Sequence, residues 1–186
     1  MARSVPYSLP ARGPTPSSGK RGRLMPKEVT VAGVTVDPVT KSPIVVLRDP
    51  ETGNVVPIWI GLLEANAIAL ALEGMEPPRP MTHDLMKSIL HATGTRLRSV
   101  EIAEIRESTY YALLHLDGPG GSVRLDARPS DAIALALRCG VRILVSETVL
   151  AQSSIPAPAA SESGASDKWD ELLEKMDPEQ FSKYKM

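Results

Sequence analysis

The chain has 186 residues, of which 42% are hydrophobic, with one cysteine and a formal net charge of −1 at pH 7. This length and composition suit a single folded domain with appendages and a buried core. The lone Cys139 excludes an intrachain disulfide, and no apolar run approaches the ~20 residues of a membrane span. We therefore expect a cytoplasmic protein without a membrane partner, with Cys139 as a buried structural thiol.

Positive charge is concentrated at the start of the chain. Residues 1–25 contain five basic and no acidic residues, whereas residues 26–150 contain 12 basic and 15 acidic residues. Residues 151–186 contain four basic and seven acidic residues. The predicted folded part therefore lacks the basic excess that is typical of a sequence-independent nucleic-acid binder.

The first segment, residues 1–25, is rich in Pro, Ser, Gly and Arg and predicts a disordered arm. Two interpretations remain open. The arm is a flexible segment ahead of a true start at Met25, or it is a basic arm that binds phosphate.

Three strands are predicted next, over residues 29–36, 44–47 and 55–60. Alternating valines indicate the first strand, and the interruption at Ala32-Gly33 predicts a β-bulge. Residues 49–54 have strong turn chemistry, so the three strands are expected to form an antiparallel meander.

Two helices are predicted to contain the same six residues, Ala-Ile-Ala-Leu-Ala-Leu, at positions 67–72 and 132–137. The first helix covers about residues 63–73, and the second of the pair ends at Gly140. These runs leave almost no polar face, so both helices are expected to be buried.

Between them, residues 82–94 predict a further helix. On a helical wheel the apolar residues from Leu85 to Ala92 share one side, which is expected to face the core. His83 and Asp84 lie on the opposite side and are therefore expected to face away from the core.

Further strands are predicted over residues 98–105, 110–116, 122–126 and 141–145. The fold class is therefore α+β, with six or seven mostly antiparallel strands and three helices in a single compact domain over residues 26–150. Residues 151–166 predict a flexible linker. Residues 167–186 predict a short amphipathic helical tail that docks on its own domain or on a neighbouring subunit. If the tail docks on a neighbouring subunit, the protein is a homo-oligomer, which we therefore keep as an expectation.

The candidate chemistry lies at the helix starts, since no phosphate loop, dinucleotide fingerprint, zinc ribbon or nucleophile elbow is present. Carboxylates with an imidazole are suitable ligands for Mg²⁺ or Mn²⁺, which can activate water against a phosphodiester. Arginines there could neutralise phosphate oxygens. The candidate metal or proton-transfer residues are Glu64, His83, Asp84, Asp126 and Asp131, and the candidate phosphate-binding residues are Arg79, Arg128 and Ser130.

An ordinary structural account of the same residues stays open. Ser130 and Thr82 are good helix caps, acids suit the first turn of a helix, and an arginine just before a helix often pairs with such an acid.

Three segments, in this order, resemble the bifunctional nuclease (BFN) domain family over about residues 27–150. They are Pro57-Ile58-Trp59-Ile60-Gly61 with Glu64-Ala65, then Arg79-Pro80-x-Thr82-His83-Asp84-Leu85, then Arg128-Pro129-Ser130-Asp131 with residues 132–136. The resemblance implies an α+β domain with nuclease activity on DNA and RNA.

Our leading hypothesis is a metal-dependent nuclease with Mg²⁺ or Mn²⁺ held by Glu64, Asp84 and Asp131. His83 would act as general base or ligand, and Arg79, Arg128 and Ser130 would bind substrate. The alternative is a non-catalytic binding or regulatory module whose polar helix starts stabilise the fold.

Overall fold

Each half of the domain formed by residues 25–157 begins with a three-stranded meander and continues into a helix. The computed structural model describes residues 25–157. The first half contains β1 (Lys27–Val36), β2 (Pro43–Arg48), β3 (Val55–Trp59), α1 (Leu62–Leu72) and α2 (Thr82–Ala92). The second half contains β4 (Arg96–Arg106), β5 (Thr109–Gly118), β6 (Gly121–Ala127), α3 (Pro129–Cys139), β7 (Arg142–Val145) and α4 (Glu147–Ser153).

The seven strands between residues 25 and 157 join one sheet in the order β3-β2-β1-β7-β4-β5-β6. Strand β7 lies between the two meanders, antiparallel to β1 and parallel to β4. The α+β class is therefore confirmed, with a mixed, mostly antiparallel sheet. The helix count was wrong, because the described residues form four helices and not three.

The helix missed by the sequence analysis is α4, which continues past residue 150. Ser146 begins it, since its hydroxyl accepts a hydrogen bond from the Val149 amide at 3.2 Å. Beyond the helix, Ile155 and Val55 exchange two backbone hydrogen bonds of 2.8 Å. Residues 151–157 therefore pack on the domain, which corrects the assignment of these residues to a linker. The rest of that linker, the arm and the predicted tail lie outside the described residues.

The two helices with the identical run are buried to different extents. In α3, residues 132–136 are all buried beneath the sheet and the flanking helices, as predicted. In α1, Ala65, Ala67 and Ile68 are buried, but Leu62 and Leu63 are exposed. The prediction of full burial was therefore wrong for α1, because this helix packs against α3 and the β1–β2 end of the sheet with one side only.

Local backbone predictions at two glycines are confirmed. The register of β1 against β2 shifts between Val31 and Gly33, as expected for a bulge. Gly140 ends α3 with a left-handed φ of 63°. None of the helices between residues 25 and 157 is long and apolar enough to cross a membrane.

Helix α2 presents a different side to the domain than the helical wheel predicted. Met86 and Leu90 pack against the core as expected. However, Leu85 and Ile89 are 53% and 52% exposed, whereas His83 is only 8% exposed. The prediction that His83 faces away from the core was wrong. Helix α2 packs mainly against α3, and His83 lies on the side of α2 that contacts α3.

Candidate active site

Side chains from the starts of α1 and α2 reach the start of α3. Helix α3 lies between the other two and contacts both. Glu64 is in the first turn of α1 and Asp131 is in the first turn of α3, and Arg128 is the residue that precedes α3. His83 is in the first turn of α2. These four side chains are in contact through Arg128 and Asp131, and we call them the helix-start cluster.

Arg128 joins the starts of α1 and α3. Its Nη1 atom donates to Glu64 Oε1 at 2.9 Å. Its Nε and Nη2 atoms donate to the two carboxylate oxygens of Asp131 at 2.7 and 3.1 Å. This forked pairing is the strongest geometry that an arginine and a carboxylate adopt. The pairing agrees with the structural account, in which an arginine just before a helix pairs with an acid in the first turn of that helix.

His83 extends the cluster from α3 to α2. Its Nε2 atom lies 3.2 Å from Asp131 Oδ1, so one carboxylate contacts both the imidazole and the guanidinium. Burial alone would raise the pKa of the Asp131 carboxyl, but the hydrogen bonds from Arg128 and His83 outweigh burial and lower this pKa. Asp131 therefore remains an anion that can orient an imidazole and stabilise its protonated form.

Asp84 is part of a different ion pair. Its Oδ1 atom accepts from Arg138 Nε at 2.7 Å, and its Oδ2 atom accepts from the Met81 amide at 2.9 Å. Burial opposes ionisation of Asp84, but the Met81 and Arg138 hydrogen bonds outweigh it and lower the pKa of this carboxyl. Asp84 thus holds the start of α2 against the end of α3.

Arg138 is the residue that the sequence analysis did not single out. Its Nη1 atom also donates to the carbonyl oxygens of Ala67 and Ala134, each at 3.0 Å. The only sequence signal was a charged residue in the last turn of an otherwise apolar helix. Such a side chain is retained in a buried position only when it is paired.

The predicted caps are not the residues that cap these helices. Met81 precedes α2, and Asp84 accepts from its amide, so Thr82 already lies inside the helix. Arg128 precedes α3, so Ser130 also lies inside the helix. Ser130 is 1% exposed, and its hydroxyl has no hydrogen-bond partner within residues 25–157. In this arrangement Ser130 is not accessible to a substrate, which argues against its predicted binding role.

Two further candidates do not join the cluster. Arg79 is exposed in the segment before α2 and forms no ion pair with any residue of the described range. Asp126 is exposed on β6.

The proposed metal ligands Glu64, Asp84 and Asp131 do not form one donor set. Within the part of the chain that the structure describes, no three His, Cys, Asp or Glu side chains are placed to hold a metal ion. Arg128 lies between Glu64 and Asp131, and Arg138 engages Asp84. The residue types suit Mg²⁺ or Mn²⁺, but their observed arrangement does not fit such an ion.

The charge of the helix-start cluster limits what it can bind. Two carboxylates face one guanidinium, which leaves one net negative charge when His83 is neutral. Arg128 is nevertheless half exposed, with 55% of its side chain accessible. Three of its five N–H groups are used by Glu64 and Asp131, so two remain for an anion.

The fold and the cluster define an α+β domain in which an ionised carboxylate links an accessible guanidinium to an imidazole. The sequence profile described as "Bifunctional nuclease domain" matches residues 45–158. The chain belongs to this nuclease family.

Individual relatives agree with this assignment. A Mycobacterium tuberculosis protein described as uncharacterized is 41% identical over 162 residues, covering 83% of this chain and 97% of that protein. "Bifunctional nuclease 1" of Oryza sativa subsp. indica is 32% identical over 120 residues, covering 61% of this chain and 36% of that protein. "Bifunctional nuclease 1" of Arabidopsis thaliana is 28% identical over 134 residues, covering 66% of this chain and 41% of that protein. The chain therefore spans less than half the length of these two plant nucleases.

Proposed function

We propose that this protein is a nuclease that hydrolyses phosphodiester bonds of DNA and RNA at the helix-start cluster. The family membership supports the reaction class. The observation that carries the choice of site is the double contact of Asp131, which pairs with Arg128 on one side and with His83 on the other. Phosphate binding and proton transfer would thus be coupled through one carboxylate.

His83 is the proposed general base. Asp131 holds the Nε2 side of the ring, which leaves Nδ1 to take a proton from an attacking water. The oxygen of that water forms a bond to phosphorus as the bond from phosphorus to the leaving oxygen breaks, and the leaving oxygen takes a proton from solvent. The negative charge of Asp131 stabilises the imidazolium that forms.

Arg128 is the proposed phosphate-binding residue. Its two remaining N–H groups can donate to non-bridging oxygens of the scissile phosphate, where charge is spread in the transition state. Arg79 is exposed ahead of α2 and is proposed to add positive charge when substrate is bound.

Dependence on Mg²⁺ or Mn²⁺ remains a prediction. The proposed hydrolysis uses only side chains, because Glu64, Asp84 and Asp131 do not surround one position where a metal ion could bind. Titration of the purified protein with either ion, followed by calorimetry, measures binding independently of cleavage.

A non-catalytic binding or regulatory module is the second candidate. It is favoured by a specific observation, which is that Glu64, Asp84 and Asp131 are each paired with an arginine. Under this alternative the cluster stabilises the helical layer and has no turnover.

The two functions are separated by paired histidine variants. His115 Nε2 lies 2.9 Å from Glu101 Oε2, so it forms a second histidine–carboxylate pair outside the cluster and serves as a matched control. We expect His83→Gln to lower cleavage of single-stranded DNA and RNA by about 100-fold or more, the usual contribution of a general base. His115→Gln should retain the wild-type rate. Equal rates for the two variants would contradict the assignment of His83.

A further inference from the structure

Within residues 25–157, no segment covers the outer edge of strand β6. The two edge strands of the sheet are β3 and β6. The outer edge of β3 is covered by Ile155, which pairs with Val55. Strand β6 has no pairing partner on its outer side within residues 25–157, and residues 121–126 are all exposed. An uncovered edge strand is a template for pairing with another strand.

The inner face of β6 is apolar. Val123 and Leu125 lie opposite Leu116 and Leu114 of β5, and Leu114 belongs to the buried core. Because cross-strand partners share a face of the sheet, Val123 and Leu125 face the helical layer. They are nevertheless 53% and 40% exposed.

The outer face of β6 carries Arg124 and Asp126, and their spacing is self-complementary. Two copies of β6 that pair antiparallel about Leu125 place Arg124 of each copy opposite Asp126 of the other. The same register places Leu125 opposite Leu125 and Val123 opposite Ala127. Opposite charges at directly paired positions favour one register over others.

Helix α2 supplies a second layer for the same interface. Helix α1 packs on β1 and β2, α3 packs on β7, β4 and β5, and α2 contacts α3 and β4. The turn after α2 lies against the β5–β6 turn, since a Cβ atom added to Gly94 would lie 3.8 Å from Pro119 Cγ. The start of α2 lies against the start of α3, which directly follows β6, because His83 Nε2 is 3.2 Å from Asp131 Oδ1. Both ends of α2 therefore lie near an end of β6, and Leu85 and Ile89 are exposed on this helix.

We infer that a second copy of this chain pairs through β6 and forms a symmetric dimer. Antiparallel strand pairing has its two-fold axis perpendicular to the sheet, so both helical layers lie on the same side. Helix α2 of each copy then lies beside the β6 seam, where Leu85 and Ile89 cover Val123 and Leu125. The exposed side of α2, which the helical wheel assigned to the core, is buried in the dimer.

Charge reversal tests both the dimer and its register. We expect the full-length wild type to sediment with twice the 20.0 kDa mass of one chain. Arg124→Asp alone or Asp126→Arg alone places like charges opposite each other, and each should raise the dimer dissociation constant by about tenfold or more. An equimolar mixture of these two variants should associate again, because each Asp at one position then faces an Arg of the other variant. Lys41→Asp, which changes an exposed turn of the first meander by the same charge, should leave the dimer unchanged.

A change on α2 tests the second layer. Ile89→Lys should also shift the protein to the monomer, with a monomer that unfolds cooperatively because Ile89 is exposed in a single copy. A monomeric wild type, an Arg124→Asp variant that stays dimeric, or a variant mixture that fails to associate would each overturn the proposal.

Discussion

Arg138 stabilises the contact of three helices through one side chain. Only 8% of this side chain is exposed, and its guanidinium reaches Asp84 of α2, Ala67 of α1 and Ala134 of its own helix. Lys87 of α2 donates to the Arg138 carbonyl at 2.6 Å. A buried cation with one carboxylate partner depends on that partner for its charge balance. Asp84 is therefore expected to contribute to stability more than the acids of the helix-start cluster.

This difference is tested by Asp84→Asn. The change leaves the buried Arg138 guanidinium without its anion and should lower the free energy of unfolding by about 2–3 kcal/mol. This loss is at or below the lower end of the range for broken buried ion pairs, because Asp84 is partly exposed. The melting temperature should fall by about 5–10 °C. Glu76→Gln, at an exposed position between α1 and α2, is the control and should leave the melting temperature unchanged. An Asp84→Asn protein that melts with the wild type would contradict the role of the Arg138 pair.

At the scale of the elements, the two helices with identical runs differ in what they bury. Helix α3 is enclosed by the sheet, α1 and α2, whereas α1 is covered on one side. The same six residues are therefore expected to contribute differently to the free energy of unfolding in α1 and in α3.

Truncation at buried and exposed positions of the two helices measures how much each position contributes to packing. Leu135→Ala and Ile68→Ala each empty a buried site and should each lower the free energy of unfolding by about 2–5 kcal/mol. Leu63→Ala removes the same atoms as Leu135→Ala from an exposed position of α1 and should cost less than about 0.5 kcal/mol. The measurement is denaturant unfolding of the three variants beside the wild type. Equal losses for Leu63→Ala and Leu135→Ala would contradict the burial of α3.

The sequence predicted what depends on local chemistry. The strand meanders, the bulge before Gly33 and the end of α3 at Gly140 follow from side-chain periodicity and backbone preferences within a few residues. The polar helix starts were singled out because each carries the same kind of residue.

The contacts inside the site could not be predicted, because their partners are distant in sequence. Asp84 and Arg138 are separated by 54 positions, and Glu64 and Arg128 by 64. Whether an acid binds a metal, a histidine or an arginine depends on how α2 is rotated against α3. A helical wheel assumes that all apolar residues face the chain's own core, and Leu85 and Ile89 do not satisfy that assumption.

At the scale of the whole molecule, four aspartates with lowered pKa values determine the response to acid. The pKa values of Asp37, Asp49, Asp84 and Asp131 are lowered in the fold, since hydrogen bonds and ion pairs outweigh the opposing effect of burial. A carboxyl whose pKa is lower in the folded chain stabilises the fold at pH values above 3.8, the ordinary pKa of an aspartate. Protonation removes this stabilisation as the pH falls through the folded pKa.

We therefore expect the free energy of unfolding to be nearly constant above the ordinary aspartate range and to fall steeply below pH 3.8. The Asp84→Asn variant should show a shallower fall, because one of the linked carboxyls is absent. Melting curves recorded from neutral to acidic pH measure both slopes. A wild type whose stability rises on acidification would contradict the lowered pKa values.

A carboxylate in the helix-start cluster is proposed to support phosphodiester hydrolysis, and the Asp131→Asn variant is the sharpest test of this role. Wild type and variant are purified in parallel and assayed on single-stranded DNA and RNA, with and without chelator, beside their melting curves. We predict that the variant cleaves about 100-fold more slowly, because Asn cannot stabilise the protonated His83, while its stability falls by only about 1 kcal/mol. Cleavage at the wild-type rate in Asp131→Asn, or no cleavage by the wild type, would contradict the account.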